Sequence, residues 1–287
     1  MKTLPINPLL AKELRLRMRN WRTFLLFTLY LVILGGFGVL NYAAVSNMLR
    51  YGTGDLAQVG QTLFVFLAFI QFGLIFFLVP GLTAGALSNE RERQTFDLLV
   101  CTQLTPFAIV RGKLFSSLSF VFLLIFASLP LYGFVFLLGG VSPTELMILI
   151  AIFILTALIY GSFSLLFSSL FKRTITAVIA SYAFSLFLVG GTAIIVSLFT
   201  LILFGMGNQN AIFSWVLLLH PVALFEWLFP EPGVELLREI TQQAYPFNIP
   251  WLKFWHLSLL VKGTLAGAAL YLATRAVNPL RAGRRSG

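Results

Sequence analysis

The stretch LSNERERQTFDLLVCTQLTPFAIVRGK, residues 87–113, is a long polar interruption between apolar blocks, and the interpretation of the whole chain starts from it. Asn89 followed three residues later by Glu92 is typical of a helix start, because an Asn side chain caps a backbone amide while a Glu reaches back. Apolar side chains then recur at helical spacing, at Phe96, Leu99, Val100 and Leu104. The pattern predicts a short amphipathic helix over residues 89–104.

The composition is that of an integral membrane protein. Of the 287 residues, 59% are hydrophobic and 10% are charged, and the mean hydropathy is +0.92. Because a helix needs about 20 consecutive apolar residues to cross the hydrocarbon core, we expect six membrane spans, the last of them interrupted by Lys262. They cover residues 23–46, 61–82, 114–139, 146–171, 175–204 and 254–274. The predicted fold is therefore an all-α integral membrane protein with six transmembrane helices.

Residues 1–22 carry six Lys and Arg residues against one acid. A helix that begins near Asn7-Pro8 places an apolar stripe opposite four of the basic side chains, Lys12, Arg15, Arg19 and Arg22. This arrangement is typical of an interfacial helix that lies on an anionic leaflet. We therefore expect an amphipathic helix before the first span, held to the lipid bilayer by these four residues.

The distribution of basic residues predicts the orientation of the chain. Both termini of a six-span chain lie on one side of the membrane, and the segments on that side hold 16 of the 20 Lys and Arg residues. These segments are residues 1–22, 83–113, 172–174 and 275–287. Because cytoplasmic loops are enriched in Lys and Arg, we expect both termini, including a basic tail over 275–287, in the cytoplasm of a cell-membrane protein. The net charge of +10 is concentrated in these connections, so we expect no nucleic-acid partner.

The polar stretch combines an acidic-basic run that opens at Glu90, a leucine pair ending at Leu99, a threonine-proline turn at Pro106 and a Gly-Lys pair at 112–113. This order resembles the cytoplasmic segment between the second and third spans of ABC-2-type transporter permeases, the type V exporter-like kind. This chain departs from the family pattern at two places. Gln94 stands where the family usually has glycine, and Pro106 comes slightly later than the proline of the family's threonine-proline turn.

The resemblance implies a coupling helix that docks in a groove of a separate ABC ATPase subunit. The residues that it assigns to this contact are Glu90, Arg91, Glu92, Arg93, Thr95, Phe96 and Leu99. It also implies an exporter built from two permease copies, as a homodimer or a related heterodimer, and two ATPase subunits that bind ATP and Mg²⁺. Short external helices lie between spans five and six in this family. The aromatic and interrupted segment 205–253 is expected to form a re-entrant or interfacial hairpin there, broken at His220-Pro221.

The sequence lacks the motif that ATP hydrolysis would need. A phosphate-binding loop follows G-x-x-x-x-G-K-[ST], but before the Gly-Lys pair at 112–113 Phe107 replaces the first glycine, and Leu114 replaces the Ser or Thr. The single cysteine and the isolated His220 and His256 predict no metal site. We expect no catalytic residue and no cofactor in this chain, so ATP hydrolysis would belong to a partner.

Ionisable residues inside the predicted spans are few. The middles of the first five hold no Asp, Glu or His, and ion-coupled transporters usually need one. Lys262 is either a substrate contact on a translocation path, a side chain that snorkels, or a sign that the last span begins elsewhere. Pro130 predicts a kink in the third span. Small residues predict close helix packing, with pore lining as the alternative: Gly161, Ser162, Ser164, Ser168, Ser169, Gly190 and Gly191.

Two other functional classes stay open. A secondary transporter or channel would transport without an ATPase partner, and the lack of charge in the spans disfavours it. A membrane-embedded enzyme or assembly factor would need Asp, His or Arg residues clustered at one interface, which the sequence does not indicate. Aromatic-rich, charge-poor spans are compatible with lipids, polyketides, peptides, hydrophobic drugs or a large polymer as cargo.

Overall fold

The computed structural model of the chain describes residues 21–50, 55–96, 105–195, 198, 218–221, 225 and 254–277. Their regular structure is helical, and none of these residues forms a strand. In chain order the helices are α1 (Trp21–Arg50), α2 (Leu56–Thr83), α3 (Ser88–Glu92), α4 (Pro106–Ala127), α5 (Leu129–Leu138), α6 (Pro143–Leu170), α7 (Thr174–Leu186) and α8 (Phe254–Val277). A π-helical turn, Phe187–Gly191, continues α7.

Six helical runs within these ranges are long and apolar enough to cross a membrane. They are α1, α2, α4 together with α5, α6, α7 with its continuation to Ile195, and α8. The prediction of an all-α integral membrane protein with six transmembrane helices is confirmed.

Side-chain caps begin two of the helices before their apolar runs start. Asp55 accepts a hydrogen bond from the Leu56 amide at 2.7 Å, so α2 starts there and not at residue 61. Thr105 caps α4 and Pro106 occupies its first turn, where a missing amide hydrogen is tolerated. The predicted start of the third span at residue 114 is therefore wrong, and Lys113 lies inside the helix.

Helix α6 is central to the bundle and contacts α2, α4, α7 and α8. One of its faces buries small residues, Gly161, Ser162, Ser164, Ser168 and Ser169. A Cβ atom at Gly161 would press against Leu114 and Leu118 of α4, so a larger side chain would force the two helices apart. These five residues serve close packing. Gly190 and Gly191 lie instead in the π-helical turn, where they are half-buried.

The third span is interrupted where the sequence predicts a kink. Helices α4 and α5 meet at Ser128, just before Pro130, which has no backbone N–H to continue the helical hydrogen bonds. Gln71 of α2 holds this junction: its Nε2 donates to Ser128 Oγ at 2.9 Å, and its Oε1 accepts from the Tyr132 hydroxyl at 2.7 Å. These three side chains are buried. A buried amide that is paired at both ends stabilises one specific arrangement of the helices.

The continuous helix predicted over residues 89–104 is wrong, because α3 ends at Glu92. Gln94 adopts a left-handed backbone conformation with φ 58°. Its amide donates to the Arg91 carbonyl at 3.1 Å, and the amide of the next residue donates to the Glu90 carbonyl at 2.9 Å. This pair of bonds is a Schellman motif, which satisfies the last carbonyls of a helix and ends it.

The predicted capping box at the start of this helix is also wrong. Asn89 lies within α3 and not at its N-cap. The N-cap residue is Leu87, which makes no side-chain cap hydrogen bond. The Asn89 Oδ1 atom accepts instead from Arg93 Nε at 3.2 Å, one turn further along.

Several predicted features lie outside the described residues. They include the interfacial helix up to residue 20, with Lys12, Arg15 and Arg19, and the side chain of Arg22. Leu99, most of the external segment 205–253 and the tail after Val277 belong to the same group. The roles assigned to these residues stay predictions.

Candidate functional site

Helix α3 lies at one end of the bundle, where α2, α6 and α8 end and α4 and α7 begin. We call this the basic end, because it carries Arg91, Arg93, Arg111, Lys113, Lys172, Arg173 and Arg275. The predicted coupling residues from Glu90 to Phe96 all lie here, so their contacts decide what the segment does.

The turn before α3 is attached to α6. The backbone amides of Leu87 and Ser88 donate to Ser168 Oγ, at 2.9 and 3.0 Å. Amides at the start of a helix have no partner within it, so Ser168 provides the acceptor that a local cap would otherwise provide. All three residues are fully buried. This contact fixes the start of α3 on the end of α6.

Glu90 forms an ion pair with Lys113 of α4, with 2.5 Å between Oε1 and Nζ. The Lys113 side chain is 8% exposed and the Glu90 side chain 22%. At this degree of burial, removing one partner leaves the other charge poorly solvated and destabilises the protein more than loss of an exposed pair does. Glu90 is therefore engaged within the chain.

Arg91 faces α8. Its Nη2 atom donates to the Ala276 carbonyl at 3.5 Å, and its guanidinium carbon lies 4.8 Å from the centre of the Phe96 ring. Carbonyls in the last turn of a helix lack donors from the helix itself, and a basic side chain can supply one. The cation–π contact holds the half-buried Phe96 beside the same helix end.

Glu92 reaches α7. Its Oε2 atom accepts from the amide of Thr174, the first residue of α7, at 3.2 Å. The residue in the cap position, Arg173, makes no side-chain cap bond. A carboxylate at this place pairs with a free amide and with the positive end of the helix dipole. Glu92 thus caps a neighbouring helix, while it remains exposed overall.

These contacts join α3 to α4 and to the ends of α6, α7 and α8. The predicted coupling residues fall into two groups. Glu90, Arg91 and Phe96 contact the bundle and are half-buried, whereas Arg93 and Thr95 are exposed. The segment therefore has an inner side that connects helices and an outer side that is open to a partner.

Sequence reasoning did not find the residues that receive α3. The sequence predicts Ser168 only as a packing or pore-lining residue, and Thr174 and Ala276 carry no pattern that marks them. The partners lie up to 185 positions away along the chain, where local periodicity holds no information. The available signal was the opposite charge of Glu90 and Lys113 within one polar stretch.

Lys262 lies within α8 and is 5% exposed. Its Nζ donates to the His220 carbonyl at 2.8 Å, and Ser258, one turn earlier, donates from Oγ to the Leu218 carbonyl at 2.9 Å. Leu218 and His220 are buried, so their carbonyls cannot take these hydrogen bonds from water, and α8 supplies them. The snorkelling interpretation of Lys262 is wrong, because its amine faces protein.

A cavity of about 250 Å³ lies beside Lys262, between α6, α7 and α8. Its walls include the rings of Phe163 and Phe184, whose centres are 4.5 Å apart. The Tyr160 side chain also lines the cavity; it is buried, and its hydroxyl has no hydrogen-bond partner in the described part of the chain. Thr156, Tyr160 and Lys262 contribute side chains to the wall, but the surface that faces the cavity is almost wholly apolar.

Within the segment over 205–253, Phe225 is fully buried in the bundle. Its ring lies 5.9 Å and 5.4 Å from the rings of Phe69 and Phe72 in α2, and 6.1 Å from the ring of Phe153 in α6. Phe72 is near the middle of α2, so this contact is deep within the apolar part of the bundle. The re-entrant or interfacial hairpin predicted over 205–253 stays a prediction, because only residues 218–221 and 225 of it are described.

The fold and the basic end define the class of the protein. It is an integral membrane protein with six spans, and a segment between the second and third spans connects the ends of other helices. Residues 8–267 match the family model described as ABC-2 family transporter protein. The chain belongs to this family and is a permease component of membrane transport. The resemblance based on residues 90–113 is thereby confirmed. Among curated proteins, the comparison found no match.

Proposed function

We propose that this permease is one subunit of an ATP-driven exporter, in which a separate ABC ATPase docks on the outer side of α3 and moves it. The observation that carries the proposal is the set of contacts from α3 to α4, α6, α7 and α8. Three of the four end on the terminal turn of another helix. A force applied to α3 would therefore act on the ends of several spans together.

The docking surface consists of exposed residues next to these contacts. Arg93 and Thr95 are exposed, and Glu92 is exposed beyond its bond to α7. We assign the polar part of the contact to these three residues. The apolar anchor would be Leu99 together with the part of the half-buried Phe96 that does not contact the bundle. Polar rims around a small apolar anchor are the usual composition of such interfaces.

Glu90 and Arg91 have a different role in this proposal. Each of them bonds to another helix of the same chain. They therefore transmit movement from the docked segment to α4 and α8, and they contribute little to the affinity for the ATPase.

The charge distribution supports the orientation, and the family resemblance supports the rest of the assembly. The excess of Lys and Arg at the basic end favours a cytoplasmic position for α3 and both termini in the cell membrane. ATP and Mg²⁺ bind to the partner ATPase. A second permease copy, identical or related, completes the transporter.

Charge reversal at Arg93 tests the docking site. We expect Arg93→Glu to weaken the affinity for the ATPase that copurifies with the wild-type chain by about tenfold, or about 1.4 kcal/mol, because an interface charge meets the wrong sign. The matched control is Lys172→Glu, an exposed charge at the same end outside α3. Equal losses in both variants, or a wild-type chain that brings down no ATPase, would contradict the proposal.

The transmission role of Glu90 is tested with Lys113. Glu90→Lys places two cations together and should reduce transport in proteoliposomes about tenfold while ATP hydrolysis continues. Adding Lys113→Glu restores the pair in reversed order and should recover most of the transport. A double variant that stays uncoupled would show that Glu90 acts on the ATPase itself.

A further inference from the structure

Helix α2 carries a proline and a glycine in its last turn, Pro80 and Gly81. Proline has no N–H for the carbonyl four residues earlier, and its ring presses on that turn, while glycine lowers helix stability. Helices bend most easily at such positions. The residues that follow continue as one helical run to Glu92. A movement of α3 therefore reaches the rest of α2 through Pro80 and Gly81, which we call the α2 hinge.

Tyr182 of α7 contacts α2 just before this hinge. Its hydroxyl donates to the Phe77 carbonyl at 2.7 Å, one turn before Gly81. A Cβ atom at Gly81 would lie 2.8 Å from the hydroxyl oxygen, so a larger residue there would push the hydroxyl away. Neighbouring helices supply hydrogen bonds around a proline in a membrane span, where water is absent. The glycine thus gives Tyr182 access to the backbone of α2.

The start of α7 contacts the chain on the other side of the hinge. The Thr174 amide donates to Glu92 Oε2 at 3.2 Å, and the Thr174 methyl group lies 3.5 Å from the place of a Cβ atom at Gly85. Glu92 and Gly85 both follow Pro80 in the chain, whereas Phe77 precedes it. The contacts of α7 therefore bracket the α2 hinge.

The two hydrogen bonds are far enough apart to resist bending. They leave α7 at Thr174 and at Tyr182, which are about 12 Å apart along the helix axis. Between these residues α7 is one unbroken helix, and it packs against α2. A bend at the hinge would move Glu92 relative to Phe77, and a straight helix cannot follow both. One of the two hydrogen bonds would then have to break.

We propose that α7 braces the α2 hinge and that Tyr182 is the positioning residue of this brace. With both contacts in place, α3, α7 and the part of α2 before the hinge move together. Without the Tyr182 hydroxyl, a movement of α3 would be taken up by bending at Pro80 and would not reach the rest of α2. That an ATPase drives this movement rests on the proposed function, whereas the brace itself does not.

Distances between two spin labels across the hinge test the brace in the purified full-length chain, without any ATPase. In a Cys101→Ser background, exposed Thr62 of α2 and exposed Asn89 of α3 are replaced by cysteine and labelled. We expect Tyr182→Phe, which removes only the hydroxyl, to widen the distance distribution about twofold, because the hinge then samples more orientations. Tyr271→Phe, the same change on the exposed side of α8, is the control and should leave the width as it is. An unchanged width in Tyr182→Phe would overturn the proposal.

Two further variants test whether the effect arises at the hinge. Pro80→Ala restores the missing amide donor, so it should stiffen α2, and Tyr182→Phe should have little effect in that background. Equal widening with and without Pro80 would show that the hydroxyl acts elsewhere. Glu92→Ala removes the contact at the other end of the brace and should widen the distribution by a similar factor. A width that does not respond to Glu92 would show that α7 holds only one side of the hinge, and the brace would be refuted.

Transport assays connect the brace with coupling. In proteoliposomes that contain the copurified ATPase, Tyr182→Phe should lower transport per ATP hydrolysed about fivefold, while the affinity for the ATPase stays the same. Adding Pro80→Ala should recover most of the transport, because a stiff α2 does not need the brace. A purely structural role would lower transport and ATP hydrolysis together, without recovery by Pro80→Ala, and would contradict the proposal.

The two sets of experiments separate this inference from the proposed function. If the label distances do not respond to Tyr182 while Arg93 still governs ATPase docking, the inference falls and the proposed function stands. Wider distances in a chain that binds no ATPase would support the brace and remove the proposed function.

Discussion

Gln94 ends α3 in a backbone conformation that favours glycine. Its φ of 58° lies in the left-handed region, where a Cβ atom costs about 1–2 kcal/mol. The permeases that this motif resembles usually have glycine at this place. Gln94 therefore replaces the usual glycine, but its backbone keeps the left-handed conformation that glycine adopts easily. The two Schellman hydrogen bonds end α3 at this position although the residue is not glycine.

Gln94→Gly should therefore stabilise the protein. Relief of the left-handed strain outweighs the greater freedom of glycine in the unfolded chain, and we expect a net gain of about 0.5–1 kcal/mol. Thermal unfolding in detergent should shift upward by about 2 °C. Arg93→Gly is the control, because the backbone at that position has φ −84° and gains nothing from glycine. An equal rise in both variants would contradict the strain argument.

At the level of elements, α3 has five residues and depends on its neighbours. So short a helix is not stable alone, since helix formation has a costly nucleus. Its first amides bond to α6, and its carboxylates contact α4 and α7. The same contacts that stabilise α3 are those through which it would transmit movement, so changes that loosen α3 should also weaken coupling.

The start of α2 packs under the loop between α5 and α6. At Gly60 the Gly139 carbonyl oxygen occupies the space that a Cβ atom would need, whereas Gly73 of the same helix has open space at that place. We expect Gly60→Ala to destabilise the protein by about 1–3 kcal/mol, because the backbone of the loop must shift. Gly73→Ala should be neutral or slightly stabilising, since alanine favours the helix. Thermal unfolding of the two variants measures the difference, and equal midpoints would refute this close contact.

For the whole molecule, the proposed orientation places the basic end in the cytoplasm. Two exposed threonines mark opposite ends of the bundle, Thr95 after α3 and Thr144 in the first turn of α6. In a Cys101→Ser background, a membrane-impermeant maleimide added to intact cells should label Thr144→Cys and leave Thr95→Cys unlabelled. Permeabilised cells should show both. The opposite pattern would invert the topology and would remove α3 from the reach of a cytoplasmic ATPase.

Several features of this protein follow from the sequence alone. Long apolar runs have to cross the bilayer as helices, because their backbone groups find no water there, so six spans could be predicted by composition. Pro130 marked the interruption of the third span for an equally local reason, its missing amide hydrogen. The order of motifs around Glu90 was sufficient to indicate the family. Each of these inferences needs only residues that are near one another in the chain.

Tertiary structure alone decided what the charged residues contact. The pairing of Glu90 with Lys113, the cap that Glu92 provides for α7, and the burial of Lys262 beside the His220 carbonyl depend on how separate helices meet. Gln71, which holds the junction at Ser128, was missed for the same reason. Periodicity reports which face of a helix is apolar, but the partner of a polar side chain is chosen when distant segments pack and its hydrogen bonds with water must be replaced.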